Sequence, residues 1–440
     1  MMKFLTRALA ALPEMQELEQ AVNAGRLPAA VTGLSAVHKA ALLRTLCART
    51  GRRALVLTGD EREAQRLADD LAAMGMRPLV YPLRDFNFRD TAGSSHEYEH
   101  QRLQVLSRLL EPAPEGCDCV VACVDAALQY VLPPQELQSR IRAFHPGDEV
   151  PPEEIIRLLV RCGYEESDQI EGPGQFAHRG GILDFFTPNA SLPTRLEFWG
   201  DEIDTINAFD PETQRRTGEP LEEVTIAPAR EVVIDDPGAL VEKIRKLASS
   251  LRGKAAPAAR TFLHAEADKL DNGLSVSCAD KYLPLLYDSP VTLLGYFDPE
   301  NTLLFVSEPA RVKERMRSTQ WQWGEDCKGY LMEGVLCRGL DTYAGDWVWL
   351  TGQYEAFGTV FLDVFAHGTY DVPVRTLANV TARQLSVWGG STELLSEDLR
   401  AMLHNRTACI VLAGSDRAAR TTAADLQAEG LPASFLEDQR

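Results

Sequence analysis

The order of hydrophobic and polar residues in the first part of the chain predicts short buried strands alternating with amphipathic helices. Apolar runs alternate with longer stretches in which apolar residues recur at helical spacing. The predicted strands are Ala29–Thr32, Arg53–Thr58, Leu79–Tyr81 and Cys119–Val124, and the predicted helices are Ala36–Cys47, Glu61–Met74 and Tyr98–Leu110. Alternation of this kind favours a parallel sheet with crossover helices.

The pattern changes after the two prolines at 133 and 134. A predicted helix, Pro152–Gly163, is followed by short alternating runs separated by glycine- and proline-rich turns. Such runs are typical of hairpins, so we predict that residues 136–228 form an inserted α+β domain with an antiparallel sheet.

The α/β pattern returns after residue 229. It predicts strands at Val232–Ile234 and Thr302–Val306 and a helix at Gly238–Leu251. We therefore expect one α/β domain, residues 1–135 and 229–376, interrupted by the inserted domain.

The last segment, residues 377–440, shows one apolar run, Ala408–Ala413, and one helical pattern, Asp416–Glu429. The run predicts a strand. One strand and one helix do not make a stable domain, so we expect a small α/β domain that is cut short.

Composition narrows the function. The chain has 440 residues, 45% of them hydrophobic and 25% charged, which is typical of a folded protein of roughly three domains. Its net charge of −19 repels phosphate and makes tight, non-specific duplex binding by this chain alone a poor hypothesis. A protein partner with a basic surface fits better, although local basic patches leave direct contact with DNA open.

The nine cysteines do not form a metal site in the sequence. Cys117, Cys119 and Cys123 lie close together, but no second group of Cys or His supplies further ligands. Cys119 and Cys123 lie in an apolar run and are predicted to be small buried residues. There is no secretion signal and no apolar run of membrane-spanning length, so we expect a cytoplasmic protein without a metal or cofactor in these residues.

A damaged phosphate-binding motif follows the first predicted strand. The motif G-x-x-x-x-G-K-[ST] is matched by Gly33 and Lys39, but His38 replaces its second glycine and Ala40 its hydroxyl residue. A side chain at 38 obstructs the approach of backbone to phosphate, and the loss of the hydroxyl removes a magnesium ligand.

The strand that would hold the metal is damaged too. The run from Thr302 ends in Ser307-Glu308 where a nucleotide site needs Asp-Glu, and serine cannot supply the fixed negative charge. Two damaged elements favour a nucleotide-binding fold without ATP hydrolysis. The sequence contains no G-x-S-x-G motif, and no other enzyme class is indicated.

The inserted region carries the most specific motifs. They are Gly174-Gln-Phe-Ala-His-Arg179-Gly-Gly-Ile-Leu-Asp184, then Arg195-Leu-Glu-Phe-Trp199-Gly-Asp201-Glu-Ile-Asp204, then Phe209-Asp-Pro-Glu-Thr-Gln-Arg215. These three motifs resemble a sequence shared by UvrB and by the bacterial transcription-repair coupling factor (Mfd) family. The resemblance covers nearly the whole chain and implies a degenerate RecA/UvrB-like fold.

Two departures from UvrB favour the coupling-factor family. Both ATPase motifs are degenerate, and residues 81–98 are too few for the long DNA-gripping β-hairpin of UvrB. The resemblance further implies that the full protein continues beyond residue 440, with an RNA-polymerase-binding domain and a DNA translocase motor that uses ATP and magnesium.

In that family the inserted domain binds UvrA. The matching residues are Arg179, Arg195 and Trp199, with Asp201 as a weaker candidate. Period-two alternation sends Leu196 and Phe198 towards a core, and Arg195, Glu197 and Trp199 to the opposite face. An exposed Trp beside an Arg is typical of an interface hot spot. Alternatively, Trp199 covers a neighbouring strand, and Arg195 pairs with Glu197 or a nearby Asp. Alternation does not decide which face Arg179 uses.

The sequence thus predicts an adaptor that binds UvrA and recruits nucleotide excision repair to stalled RNA polymerase. Two alternatives stay open: an active, ATP-dependent DNA-repair subunit like UvrB, and a structural module that holds the motor of the longer protein inactive by contact.

Overall fold

The computed structural model describes residues 9–86, 88–89, 95–111, 117–274, 276, 278–287, 289–366, 369–381 and 388–436. Its strands are β1 (Ala29–Thr32), β2 (Arg53–Thr58), β3 (Pro78–Tyr81), β4 (Cys119–Cys123), β5 (Arg142–Phe144), β6 (Glu165–Glu166), β7 (Gln175–Arg179), β8 (Ile182–Phe185), β9 (Thr194–Trp199), β10 (Glu202–Ala208), β11 (Val224–Ile226), β12 (Thr302–Ser307), β13 (Val360–Leu362) and β14 (Thr376–Asn379).

The α-helices are α1 (Pro13–Asn23), α2 (Ala36–Thr50), α3 (Glu61–Ala73), α4 (Glu97–Leu110), α5 (Val124–Leu128), α6 (Pro134–Arg140), α7 (Pro152–Arg161), α8 (Pro237–Ser250), α9 (Ala256–Asp271), α10 (Leu283–Leu286), α11 (Pro309–Glu333), α12 (Trp347–Ala356), α13 (Thr392–His404) and α14 (Asp416–Ala428). Short 3₁₀ helices lie at Ala279–Tyr282 and Leu293–Tyr296. Of the segment 81–98, residues 87 and 90–94 lie outside the described residues.

Seven strands form the large sheet, in the order β14-β1-β13-β12-β2-β4-β3, with every pair parallel. Successive residues face opposite sides of a strand, so Leu55 enters the hydrophobic core on one face of the sheet and Val56 the core on the other. Burial on both faces explains why these strands are continuous apolar runs. The predicted parallel α/β architecture is confirmed.

The inserted unit has a sheet of its own, in the order β10-β9-β8-β7-β6. Its pairs are antiparallel except β6–β7, which is parallel. One face packs on α7, where Ile155 and Leu159 share a core with Leu196 and Ile206. The opposite face carries the charged and exposed side chains described below.

Two predicted strands are wrong. Val232–Ile234 is not a strand, because the Tyr287 hydroxyl, rather than a neighbouring strand, accepts a hydrogen bond from the Val233 amide at 3.4 Å and donates one to the Glu231 carbonyl at 3.0 Å. Ala408–Ala413 is exposed and pairs with no other strand in the described part of the chain. An apolar run cannot form a strand without a neighbour to complete its hydrogen bonds.

Beyond β14, the C-terminal segment contains two described helices and no described strand. Leu395 and Leu399 of α13 pack against Leu426 of α14 and against Leu431. The predicted boundary between residues 376 and 377 falls inside β14, which pairs with β1 in the large sheet.

A buried ion-pair network joins the segment that leaves the inserted unit to the large domain. Glu231 Oε1 lies 2.5 Å from Arg102 Nε, and its Oε2 lies 3.1 Å from Arg84 Nε. The Glu231 amide donates to Glu99 Oε1 at 2.7 Å, and Arg84 also pairs with Asp280 at 3.2 Å. Each buried charge of this network lies against a charge of opposite sign, so the network anchors the returning chain on α4, and removal of one partner would be costly.

Candidate functional sites

The register of the inserted sheet decides which side chains share its outer face. Arg179 of β7 lies opposite Ile182 of β8, Ile182 opposite Glu197 of β9, and Glu197 opposite Thr205 of β10. Directly opposite residues point to the same side of a sheet, as do residues two apart on one strand. Arg179 therefore shares a face with Glu197 and Trp199, which alternation along β7 alone did not decide.

We call this surface the docking face. It consists of Arg179, Ile182, Asp184, Arg195, Glu197, Trp199 and Thr205.

Trp199 is a strongly exposed part of the docking face. Its relative exposure is 83%, so it does not cover a neighbouring strand. Arg179 is also exposed, and no hydrogen bond or ion pair holds its side chain among the described residues. Asp201 is exposed in the turn that follows Trp199 and joins β9 to β10. A large aromatic side chain and a free guanidinium are thus available to a partner on one surface.

Arg195 differs from Arg179 because it is already paired. Its Nε and Nη2 donate to the two carboxylate oxygens of Asp184 at 2.7 and 2.8 Å, and its guanidinium lies 4.8 Å from the centre of the Phe209 ring. The hydrogen bonds from Arg195 to Asp184 also raise the pKa of the guanidinium. Of the alternatives for Arg195, pairing with a nearby Asp is the one observed.

Glu197 is held by Arg216, a residue that was not among the predicted site residues. The two side chains form an ion pair, and the Thr205 hydroxyl donates to Glu197 at 3.3 Å. The hydrogen bond from Arg216 lowers the pKa of the Glu197 carboxyl below its usual range. Arg216 directly follows the motif that runs from Phe209 to Arg215, so its position next to the motif was the available signal.

The fold also brings together the two halves of the damaged nucleotide motif. Lys39 lies in the first turn of α2, Ser307 is the last residue of β12, and Glu308 follows it. Lys39 Nζ donates to Ser307 Oγ at 2.9 Å and lies 2.5 Å from Glu308 Oε1. Ser307 Oγ donates in turn to Glu63 Oε1 at 2.7 Å. Residues more than two hundred and sixty positions apart thus form one polar cluster.

The loop between β1 and α2 has few amides left for a phosphate. In a phosphate-binding loop the backbone N–H groups point at the ligand. Here the Gly33 amide donates to the Val364 carbonyl at 3.2 Å, and the Leu34 amide to the Asp363 carbonyl at 3.0 Å. The Ser35 amide donates to His38 Nδ1 at 3.3 Å. Three donors at the start of the loop are already used within the chain.

Neighbouring backbone also lies close against the loop. Gly33 has a φ of +84°, and a Cβ there would lie 1.9 Å from the Val380 carbonyl oxygen. Ala40 is fully buried in the core, while His38 is exposed beside the loop.

The part of the chain that the structure describes contains no group of three or more His, Cys, Asp or Glu placed to hold a metal ion. Cys119 and Cys123 are buried free thiols, as predicted.

Within the described residues no helix is both long and apolar enough to span a membrane.

Comparison with known proteins identifies the inserted unit. Residues 143–232, which include the docking face, match the family described as the UvrB interaction domain. The chain is 28% identical to the transcription-repair-coupling factor of Bacillus subtilis over 84% of its length, and 30% identical to that of Mycobacterium tuberculosis over 69%. The protein of the same name from Myxococcus xanthus is 32% identical over 51% of the chain.

The chain is similar to the N-terminal module of transcription-repair-coupling factors. The resemblance noted from the motifs is confirmed. The matched regions span only 32%, 24% and 19% of these three relatives, respectively.

Proposed function

We propose that this chain is the adaptor module of a transcription-repair-coupling factor and that its docking face binds UvrA. Binding would recruit nucleotide excision repair to stalled RNA polymerase. RNA polymerase and DNA would be contacted by other parts of a longer protein, and the setting is the cytoplasm. The observation that carries this proposal is the location of Trp199, exposed on the same sheet face as Arg179, within the matched interaction domain.

The chemistry of the face suits a protein partner. Trp and Arg are the residues most enriched among interface hot spots, because each buries a large area while keeping a polar group for a hydrogen bond. Trp199 supplies the apolar area and Arg179 the unpaired charge. Arg195 contributes differently: its pairing with Asp184 stiffens the strands from which Trp199 projects.

We further propose that the module itself does not hydrolyse ATP. The amides at the start of the β1–α2 loop are engaged by carbonyls, Ser307 lacks the charge that a magnesium ion requires, and Lys39 is neutralised by Glu308. An active UvrB-like subunit would need these three features reversed. A purified chain that hydrolyses ATP with magnesium, and loses that activity in Lys39→Ala, would refute this part of the proposal.

The test of the docking face is direct binding of the 440-residue chain to purified UvrA by calorimetry or surface plasmon resonance. We expect Trp199→Ala and Arg179→Ala each to weaken binding by more than about 1–2 kcal/mol, roughly a factor of 5–30 in Kd, as hot-spot residues do. Neither substitution should lower the unfolding temperature much, because both side chains project into solvent.

Matched controls lie on α11. Trp321 is 66% exposed and Arg317 is exposed, both outside the inserted unit, so Trp321→Ala and Arg317→Ala remove the same chemistry elsewhere. They should leave Kd unchanged. Equal losses of UvrA affinity in the control and docking-face variants would show that the surface is assigned wrongly. If the wild-type chain is folded but does not bind UvrA, the proposed function is wrong.

A further inference from the structure

Lys39 is a buried ammonium group, and a buried charge needs a partner. Only 6% of its side chain is exposed. Leaving such a group unpaired costs several kcal/mol, so either the protein supplies a counter-charge or an anionic ligand binds at the site. In a phosphate-binding loop the lysine at this position contacts the phosphates of the nucleotide. In this chain it contacts Glu308 at 2.5 Å and Ser307 at 2.9 Å.

The backbone holds Glu308 in this place. The residue has a φ of +51°, and its amide donates to the Leu362 carbonyl at 2.9 Å. Its Oε1 accepts a hydrogen bond from the Val364 amide at 3.0 Å as well as the contact from Lys39. One carboxylate oxygen thus receives a backbone N–H and an ammonium group, which is the donor set that a phosphate oxygen receives in a phosphate site.

The same carboxylate ties three parts of the large domain together. Lys39 belongs to α2, Glu308 lies between β12 and α11, and Val364 follows β13. The Val364 carbonyl in turn accepts the Gly33 amide of the loop. In a nucleotide-dependent domain the bound phosphate makes such a bridge, and the bridge is lost when the nucleotide leaves.

We propose that Glu308 is an internal ligand that occupies an anion site around Lys39, and that removing its carboxylate uncovers a site for inorganic phosphate. The bridge between α2, β12 and β13 is then permanent, which makes the large domain a scaffold whose shape does not depend on nucleotide. This inference does not rest on UvrA binding and can fail independently of it.

The decisive variant is Glu308→Gly. Glycine suits the positive φ at this position, and the Glu308 side chain is 14% exposed, so its removal opens the pocket to solvent. The probe is inorganic phosphate at about 20 mM, compared with sodium chloride at equal ionic strength. The readouts are thermal unfolding of the 440-residue chain and broadening of the phosphate ³¹P resonance.

For Glu308→Gly we expect phosphate to raise Tm by about 2–4 °C more than chloride and to broaden the ³¹P resonance. The wild type, whose site is filled, should show neither effect. The matched control is Lys39→Met/Glu308→Gly, which removes the cation and should also show neither effect. If Glu308→Gly folds only when phosphate is present, Lys39→Met/Glu308→Gly should fold without phosphate.

Three results would overturn the proposal. A wild-type response equal to that of Glu308→Gly would show that the site is not filled. A response that survives Lys39→Met would place phosphate elsewhere. The third result concerns the charge pair alone. If the Tm loss of Lys39→Met/Glu308→Gln equals the sum of the losses of the two single variants, the two side chains are not partners.

Discussion

The ion pair between Arg195 and Asp184 gives the sharpest prediction about the docking face. Asp184 is almost completely buried, with 4% of its side chain exposed, and Arg195 supplies two hydrogen bonds to it. Replacing Arg195 by Met keeps much of the side-chain volume but leaves a buried carboxylate without its counter-charge. Loss of one partner from a fully buried pair costs about 3–5 kcal/mol. Because 17% of the Arg195 side chain is exposed, we expect about 2–3 kcal/mol.

A double-mutant cycle isolates the pair. Asp184→Asn also breaks the ion pair, whereas Asp184→Asn/Arg195→Met removes both charges and leaves no unpaired one. The double variant should therefore be less destabilised than the sum of the single variants, with a coupling of about 1.5–3 kcal/mol. Guanidinium unfolding followed by circular dichroism and by tryptophan fluorescence measures the four free energies of unfolding.

An exposed pair on the same face provides the control. Arg216 and Glu197 keep 51% and 26% of their side chains exposed, so Arg216→Ala should cost at most about 1 kcal/mol. Equal costs for Arg195→Met and Arg216→Ala, together with an additive cycle, would refute the argument from burial.

The same variants distinguish a positioning role of Arg195 from direct contact between Arg195 and UvrA. If Arg195 acts on UvrA only by holding β9 against β8, Asp184→Asn/Arg195→Met should recover binding as it recovers stability. If UvrA touches the guanidinium, the double variant should stay as weak in binding as Arg195→Met.

Three further predictions follow from buried groups in the large domain. Glu231→Gln removes the charge shared by two buried arginines, and we expect a loss of about 3 kcal/mol in guanidinium unfolding. Burial lowers the pKa of His100 to about 4, below the roughly 6.5 of an unfolded histidine. The unfolded state therefore binds the proton first, so the free energy of unfolding should fall by roughly 1–3 kcal/mol as pH drops from 6.5 to 4, and by less in His100→Asn. Gly33→Ala places a Cβ 1.9 Å from a backbone carbonyl oxygen and should cost more than about 3 kcal/mol, whereas Gly51→Ala meets no atom within 4 Å and should cost about 1 kcal/mol in the same assay.

Much of the large domain was predictable because its strands are buried on both faces. A strand such as β2 is a continuous apolar run, and α3 begins where Asp60 accepts a hydrogen bond from the Glu63 amide at 2.8 Å. Both signals are local. Strands β13 and β14 were missed because each has only a few residues, and their pairing with β1 comes from distant parts of the chain.

The two wrong strands have the same origin. Val232–Ile234 and Ala408–Ala413 have strand-like composition, but strand formation depends on a neighbour that no local pattern encodes. In the first segment the Tyr287 hydroxyl makes two of the backbone hydrogen bonds that a neighbouring strand would otherwise make.

The sequence alone determined the alternation of strands and helices, the presence of an inserted sheet, the motifs of the interaction domain and the damage at His38, Ala40 and Ser307. These features depend on residue type and short-range spacing. Tertiary structure decided that Arg179 shares a face with Trp199, that Arg195 is paired while Arg179 is free, and that Glu308 neutralises Lys39. Each of these depends on strand register or on contact between distant segments, because the fold places in contact residues that the chain keeps far apart.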